Sequence, residues 1–378
     1  KSKLRIALIA NSSWYLYNFR LPLLLKIKSQ GHTVFIIAPK DKYTKILTSH
    51  GFATYEWELN RKSVNIINET KSILNLLNIL KSINPDLIHN FTIKPCIYGT
   101  LISKIIRIKF VINSITGLGH VFISKSIFKK FLKLFLIQIY KIILNSKKNI
   151  IIFQNENDQK IFKNLGITKN SKTYIIPGSG VDINYFSSSK EKKLFFQEPI
   201  KIFFPARIIK EKGIIELLIA FKSLVRDGFK VELIIAGNID IGNSSSLKKK
   251  QIQEIKKIKR LKLLGHVKNM KELYEEVDIV VLPSWREGLS KTLIEAGAMS
   301  KPVITTNVPG CKDIIDHGIN GILIPFKDPK SLELAIKLLI YNEKLALRLG
   351  RNLRKKVVKS FDQRTINNKT INIYYLCK

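Results

Sequence analysis

The sequence predicts an α/β chain of two consecutive, doubly wound, Rossmann-like halves, each with a parallel sheet. Three observations carry this. Short apolar runs alternate with helical patterns along most of the chain. The plan starts afresh after a polar stretch, Ser187–Pro199 (SSSKEKKLFFQEP). The length, 378 residues, is enough for two full cores.

In the first half the strand-like runs are Leu4–Ala10, Thr33–Ala38, Asp86–Asn90, Lys109–Ser114 and Asn149–Gln154. Helical patterns such as Ile66–Ile83 lie between them. Strands that alternate with helices form βαβ units, because a parallel neighbour needs a crossover. In the second half the runs are Ile200–Pro205, Lys230–Ala236, Leu261–Leu264, Asp278–Leu282 and Val303–Thr305, with Gly321–Ile324 a short last one. The polar stretch, closed by Pro199, reads as a linker and sets the domains at 1–186 and 187–360. Halves of this type that face each other are expected to leave a ligand cleft at the carboxyl ends of their strands.

Composition narrows the function. Hydrophobic residues are 45% and charged residues 25%, which fits a folded globular protein rather than a disordered one. The formal net charge is +37. Two readings of it stay open: the Lys-, Ile- and Asn-rich bias of an AT-rich genome, and attraction to an acidic partner such as a nucleic acid, an anionic membrane or a diphosphate. No helix-turn-helix, RNP or zinc-finger pattern is present, so no nucleic-acid partner is expected. Cys96, Cys311 and Cys377 lie too far apart for a metal or disulfide motif, and a reducing cytoplasm is the default. The sequence enters a strand at once, so no leader is read.

Ile127–Leu144 is apolar but interrupted by Lys129, Lys130, Lys133 and Lys141, which argues against a spanning helix. On a helical wheel Phe128, Phe131, Leu132, Phe135, Ile139 and Ile142 share a face, with the lysines on or beside the opposite one. Such a helix either packs on a core with a solvated lysine face or docks on an anionic membrane surface.

The chemistry concentrates in Pro283–Pro325, which opens PSWREGLSKTLIEAGAMSKPVITTNVPG. Glu287 follows an apolar strand, and Glu295 falls about two turns into the next helix. A strand, a glycine-containing loop and a helix N-terminus favour a phosphate, and two carboxylates beside it suit sugar hydroxyls. Arg207 and Lys212, in PARIIKEKG, emerge past another strand end, where fixed cations could neutralise a diphosphate leaving group.

With LLGHVKNM and HGINGILIP, these segments in this order resemble glycosyltransferase family 4, with the GT-B fold, over nearly the whole chain. The resemblance implies retaining transfer from a nucleotide-sugar, UDP-linked by family habit, without metal or other cofactor. It places the donor in the second domain and the acceptor in the first. It implies that Glu287 binds donor-sugar hydroxyls, Glu295 the ribose hydroxyls, and Arg207 and Lys212 the diphosphate. The backbone of Gly288, Leu289 and Ser290 would approach the donor, and Gly265 and His266 would border the base. Ser290 stands where many members carry proline or glycine. IIPGSGVD (Ile175–Asp182) resembles the segment between the domains, and 361–378 resembles the C-terminal segment that crosses back onto the first.

Two departures concern the acceptor side. The first strand–helix loop, Asn11–Leu23, lacks the glycine pair of many members. Where many carry a histidine, Thr116 or Gly117 stands here, and His120 comes a few residues late. His89, at a strand end, is a further candidate. NFRLPL, HNFTIKPCIYG and ITGLGHVF resemble a narrower set of bacterial transferases that extend undecaprenyl-diphosphate-linked saccharides in glycan or O-antigen assembly. That resemblance implies a lipid-linked saccharide acceptor and a place on the cytoplasmic face of the cell membrane, with Ile127–Leu144 docking there. Arg20 and Lys94 are candidates for the acceptor diphosphate, or else members of structural ion pairs. The alternatives are a soluble acceptor, an epimerase or phosphorylase on the same fold, an inactive membrane scaffold and a basic nucleic-acid-binding protein.

Overall fold

The computed structural model describes residues 3–61, 63, 65–117, 127–187, 196–240 and 245–376; for 127–133 the helical backbone alone is described. The chain divides into two compact units. One is Lys1–Ser179 with Ile366–Lys378, and the other is Gly180–Thr365.

The first unit runs β1 (Arg5–Ile9), α1 (Ser13–Ser29), β2 (Thr33–Ala38), α2 (Lys42–Ser49), β3 (Ala53–Glu56), α3 (Ile66–Ile83) and β4 (Leu87–Phe91). It continues with α4 (Ile93–Ile105), β5 (Phe110–Ile115), α5 (Ile127–Leu144), β6 (Asn149–Phe153), α6 (Glu156–Asn164) and β7 (Lys172–Ile175). Among the described residues the strands form one seven-stranded sheet, ordered β3-β2-β1-β4-β5-β6-β7. Every neighbouring pair is parallel, as in Ile6↔Val34 and Leu87↔Phe110. Ile6 and Leu8 of β1 join one core layer, and Ala7 and Ile9 join another. A strand buried on both faces needs apolar residues at every position, and for that reason these strands read as continuous runs rather than alternations.

The second unit runs β8 (Ile200–Phe204), α7 (Ile214–Arg226), β9 (Val231–Ala236), α8 (Lys249–Lys256), β10 (Leu261–Gly265), α9 (Met270–Glu276) and β11 (Ile279–Leu282). After these come α10 (Lys291–Ala298), β12 (Val303–Thr306), β13 (Ile322–Ile324), α11 (Pro329–Tyr341) and α12 (Glu343–Ser360), and α13 (Gln363–Tyr375) then runs from the second unit back into the first. Its six strands, among the described residues, are ordered β10-β9-β8-β11-β12-β13 and are parallel. The order reverses at β8, whose neighbours are β9 on one side and β11 on the other. Ligands of doubly wound sheets bind at the carboxyl ends of the strands at such a point.

The structure departs from the sequence reading in three places. The edge strands β3 (ATYE) and β7 (KTYI) were not expected; each has four residues, exposed at its ends, with no apolar run to announce it. The break between units falls after Ser179, earlier than expected, because Val181, Ile183 and Phe186 pack in the second core. The return to the first unit starts at Ile366 rather than Phe361, because Phe361 and Asp362 stay with the second unit. Val181 N–H donates to Phe361 O, and Gln363 N–H to Val181 O, both at 3.0 Å. From Ile366 onward α13 buries Ile366, Ile371, Ile373 and Tyr374 in the first core.

Helix α5 buries Ile137, Tyr140, Ile143 and Leu144. It leaves Leu134, Phe135 (63% exposed) and Ile142 (73%) outward. Thus Phe135 and Ile142, two members of the apolar face read from the sequence, are not the face that packs on the protein. The side chains of Phe128, Lys129, Lys130, Phe131, Leu132 and Lys133 lie outside the described residues.

Candidate functional site

The site is built where β8 and β11 end side by side. After β8 the chain carries Arg207, then a single 3-10 turn, Lys210–Lys212, closed by Gly213 in the left-handed conformation (φ +77°). After β11 it runs from Pro283 to Ser290, which caps α10. The two loops touch through backbone. A Cβ on Gly213 would lie 2.1 Å from Pro283 O, and Trp285 N–H donates to Glu211 O at 2.9 Å. The Trp285 indole N–H also donates to Glu216 Oε1 at 3.0 Å, tying the second loop to the first turn of α7.

This closeness brings Lys212 and Glu287 together. Lys212 Nζ donates to Glu287 Oε1 at 2.5 Å, and the buried Ser284 hydroxyl donates to the same oxygen at 2.7 Å. Both side chains of the pair are about four-fifths buried or more, with 20% and 12% exposure. The loop is fixed from its other side by the segment after β12. Glu287 N–H donates to Pro309 O at 3.1 Å, and Ser290 N–H to Gly310 O at 3.3 Å. Gly310 is left-handed (φ +81°), and a Cβ there would lie 2.4 Å from Glu287 O. Cys311, in the same segment, is buried beside Glu287, and burial with that negative charge pushes its thiol up to about 12.

Arg207 is more open. Its guanidinium pairs with Asp240 Oδ2, beyond the end of β9, at 2.5 Å with 55% and 26% exposure. Ile208 N–H bonds Asn238 O at 3.0 Å, so the loops after β8 and β9 are stitched together as well.

Glu295 lies one turn into α10, nearer its start than the two turns expected from the sequence, and is 6% exposed. Lys291, one turn earlier on the same helix, has its ammonium 3.6 Å from Oε1. The Tyr274 hydroxyl stands 3.4 Å from Oε2. Burial raises the Glu295 carboxyl above the usual range, against the pull of Lys291 and of the Tyr274 bond. Gly288 and Leu289 are half-buried between the two glutamates, and Ser290 is buried with its hydroxyl 3.1 Å from that of Thr292.

Gly265 ends β10 with φ +65°, and His266 after it is exposed. Strands β9 and β8 stand between β10 and β11, so His266 is not brought up to the Lys212–Glu287 pair.

In the first unit the candidates disperse. His89 is buried in β4, with Nδ1 2.5 Å from Tyr374 OH, Nε2 2.7 Å from Ser114 Oγ and its ring 4.0 Å from Phe91. Burial, with nearby Arg20, holds it well below the usual histidine range. It is a neutral core residue that docks α13, not a side chain presented to a ligand. Arg20 is buried too; it donates to Gly178 O at 3.2 Å and to Tyr15 OH, and lies over the Phe91 ring. Lys94 donates to Asn60 O, Ser63 O and Glu69 Oε1, the last at 2.7 Å, which is the structural ion pair. Thr116 and Gly117 follow β5, half-buried. His120 lies outside the described residues.

Sequence reasoning missed Ser284, Asp240 and Tyr274. Ser284 had a signal, since it stands one turn of chain before Glu287. Asp240 and Tyr274 had none, because only the sheet order and the packing of α9 bring them to Arg207 and Glu295.

Comparisons with known proteins agree with this fold. Residues 186–356 match the family model described as glycosyl transferases group 1, and residues 5–155 match glycosyl transferase 4-like. Together they span most of both units. The chain is a glycosyltransferase with the GT-B fold. It is 27% identical, over 98% of both chains, to an N,N'-diacetylbacillosaminyl-diphospho-undecaprenol α-1,3-N-acetylgalactosaminyltransferase of Campylobacter jejuni. It is 24% identical to a UDP-Gal:α-D-GlcNAc-diphosphoundecaprenol α-1,3-galactosyltransferase of Escherichia coli, over 80% of this chain and 78% of that one. The fold matches Anabaena HepE in complex with UDP and glucose, with TM-score 0.79, 19% identity and coverage of 98% and 99%. Among the enzyme's described residues no helix is long and apolar enough to cross a membrane.

Proposed function

We propose that the enzyme moves a hexose or N-acetylhexosamine from a UDP-sugar to a lipid-linked saccharide, with retention at the anomeric carbon, in bacterial surface glycan or O-antigen assembly. The observation that carries this reading is the Lys212–Glu287 pair at the β8/β11 switch point, with Glu295 buried one turn into the adjoining helix. Lys212 and Arg207 are each held by a carboxylate. A diphosphate, carrying more charge, would take both cations. Glu287 would then be released to accept hydrogen bonds from the donor-sugar hydroxyls, still oriented by Ser284.

In this reading the nucleoside diphosphate leaves from the face on which the acceptor attacks. Arg207 and Lys212 neutralise the developing charge, and the leaving phosphate helps take the acceptor proton. Positioning and fixed charge supply the catalysis, with no metal or other cofactor assigned a role. Glu295 takes the ribose hydroxyls. Gly288 and Leu289 provide the close backbone approach, and Gly265 with His266 the border of the base. The acceptor belongs to the first unit, where Thr116 and Gly117 follow a strand end at half-buried positions.

The names of the Campylobacter and Escherichia relatives, both acting on diphospho-undecaprenol saccharides, support a lipid-linked acceptor. So does α5, whose outward Leu134, Phe135 and Ile142 sit beside Lys141 on a chain of net charge +37. Apolar insertion and lysine attraction add on an anionic leaflet, which would hold the enzyme peripherally on the cytoplasmic face.

The test is transfer to a synthetic polyprenyl-diphosphate saccharide across a panel of UDP-sugars, with Glu287→Ala as control. Product from one donor, retained in anomeric configuration and lost in the variant, is the expected result. Binding of UDP without transfer to any lipid-linked acceptor would redirect the reading to a soluble one.

A further inference from the structure

We propose that Tyr274 is the positioning residue of Glu295, its phenol hydroxyl aiming the carboxylate at the ribose of the donor. The inference rests on the reading of Glu295 as the ribose ligand and deepens it. Tyr274 is fully buried in α9. Its ring is fixed edge-on by Phe203 (5.3 Å, 83°) and Phe186 (6.3 Å, 76°). Its hydroxyl lies 3.0 Å from Thr292 O and 3.4 Å from Glu295 Oε2. The single phenol hydrogen therefore has two acceptors on α10, Thr292 O the nearer and Glu295 Oε2 the farther, and it ties that helix to α9 at the turn that carries Glu295.

The other partner, Lys291, differs in kind. It lies 3.6 Å from Oε1 on a long side chain with about a third of its surface exposed. Lysine supplies a charge without a fixed direction, whereas a phenol locked by aromatic packing supplies a direction. A buried carboxylate that must accept hydrogen bonds from two vicinal hydroxyls needs its plane fixed, and Tyr274 is the rigid group in reach. The same bond favours the ionised form of Glu295, as does Lys291, while burial opposes it.

The experiment compares the affinities of UDP and 2′,3′-dideoxy-UDP by calorimetry, as a function of pH, in the full-length wild type, Tyr274→Phe, Glu295→Gln and the double variant. The ratio of the two affinities isolates the ribose hydroxyls and cancels titration of the phosphates. In the wild type the ratio should be about ten- to hundredfold, the scale of hydrogen bonds to a charged group. Tyr274→Phe should cut it about five- to tenfold, leave the dideoxy affinity unchanged, and move loss of the ratio to higher pH. The direction follows from the charge: removing the hydroxyl removes a stabiliser of the carboxylate, so protonation sets in earlier as pH falls. In the Glu295→Gln background the same change should do nothing further.

A wild-type ratio and pH profile in Tyr274→Phe would overturn the inference while leaving the ribose reading intact. Equal loss of both ligands would also overturn it, as the mark of a packing role. No preference in the wild type would sink the ribose reading itself. Should Tyr274→Phe fail to fold, 3-fluorotyrosine in place of every tyrosine keeps the shape and strengthens the donor. The ratio should then rise, and an unchanged ratio would count against Tyr274.

Discussion

At the scale of single residues, the candidate site is a set of paired charges. Lys212 and Glu287 are partly withdrawn from water and neutralise each other, with Ser284 as third member. Removing one member strands the other, so the pair acts as a unit. Lys212→Ala should lower kcat by about 10²–10³-fold, the scale of one fixed donor to a developing anion. Adding Glu287→Ala should cost clearly less than in the wild-type background. Steady-state kinetics of the two single variants and the double variant check this, and simple multiplication of the two losses would show that the groups act separately. The first-unit candidates teach the opposite lesson. His89, Arg20 and Lys94 are of the right type for a site, yet each already spends its hydrogen bonds inside the fold.

Among elements, precision comes from loops pressed against each other rather than from the strands themselves. Gly213 is where this shows, since it is left-handed and its missing Cβ makes room for Pro283 O. Gly213→Ala adds roughly 1–2 kcal/mol for the backbone conformation alone, before the 2.1 Å clash is relieved. A melting temperature lower by about 5 °C or more is expected, at roughly 2–4 °C per kcal/mol for a unit of this size. Because the loop that moves carries Lys212, affinity for UDP should fall with it; thermal melts and calorimetry on one preparation test both. Helix α5 makes a second element-scale prediction. Phe135→Glu with Ile142→Glu removes outward apolar groups without touching the buried Ile137 and Tyr140. Cosedimentation with phosphatidylglycerol vesicles should weaken more than tenfold, from a loss of about 2 kcal/mol of apolar insertion, with the melting temperature unchanged. Undiminished vesicle binding would assign the attraction to net charge alone.

For the whole molecule, each unit has its own sheet and cores, and α13 belongs to both, starting in the second and ending in the first. The residues proposed for the donor, Glu287, Glu295, Arg207 and Lys212, all fall in Gly180–Thr365. UDP should therefore slow amide exchange in the loops after β8 and β11 and in the first turns of α10, and leave β1, β4 and β5 unchanged. At a hundredfold excess over Kd it should stabilise the unit that holds it by about 2.7 kcal/mol. Hydrogen–deuterium exchange with and without UDP decides this, and protection centred on β4 and β5 would move the nucleotide to the other unit.

Read alone, the chain determined the architecture and singled out the residues proposed for the donor. Ten strands and the short β13 are legible because buried parallel strands must be apolar on both faces, and Glu287, Glu295, Arg207 and Lys212 because they follow strand ends in a recurring order. The tertiary structure decided what local pattern cannot carry. It placed β3 and β7 on the sheet edges, where pairing with one neighbour asks little of four mixed residues. It joined Lys212 to Glu287 and Tyr274 to Glu295, contacts between segments far apart in sequence. It also turned His89 from an apparent site residue into a core one, since whether a polar group is spent or available depends on which side chains pack around it, and that is fixed only when the sheet, α13 and their neighbours come together.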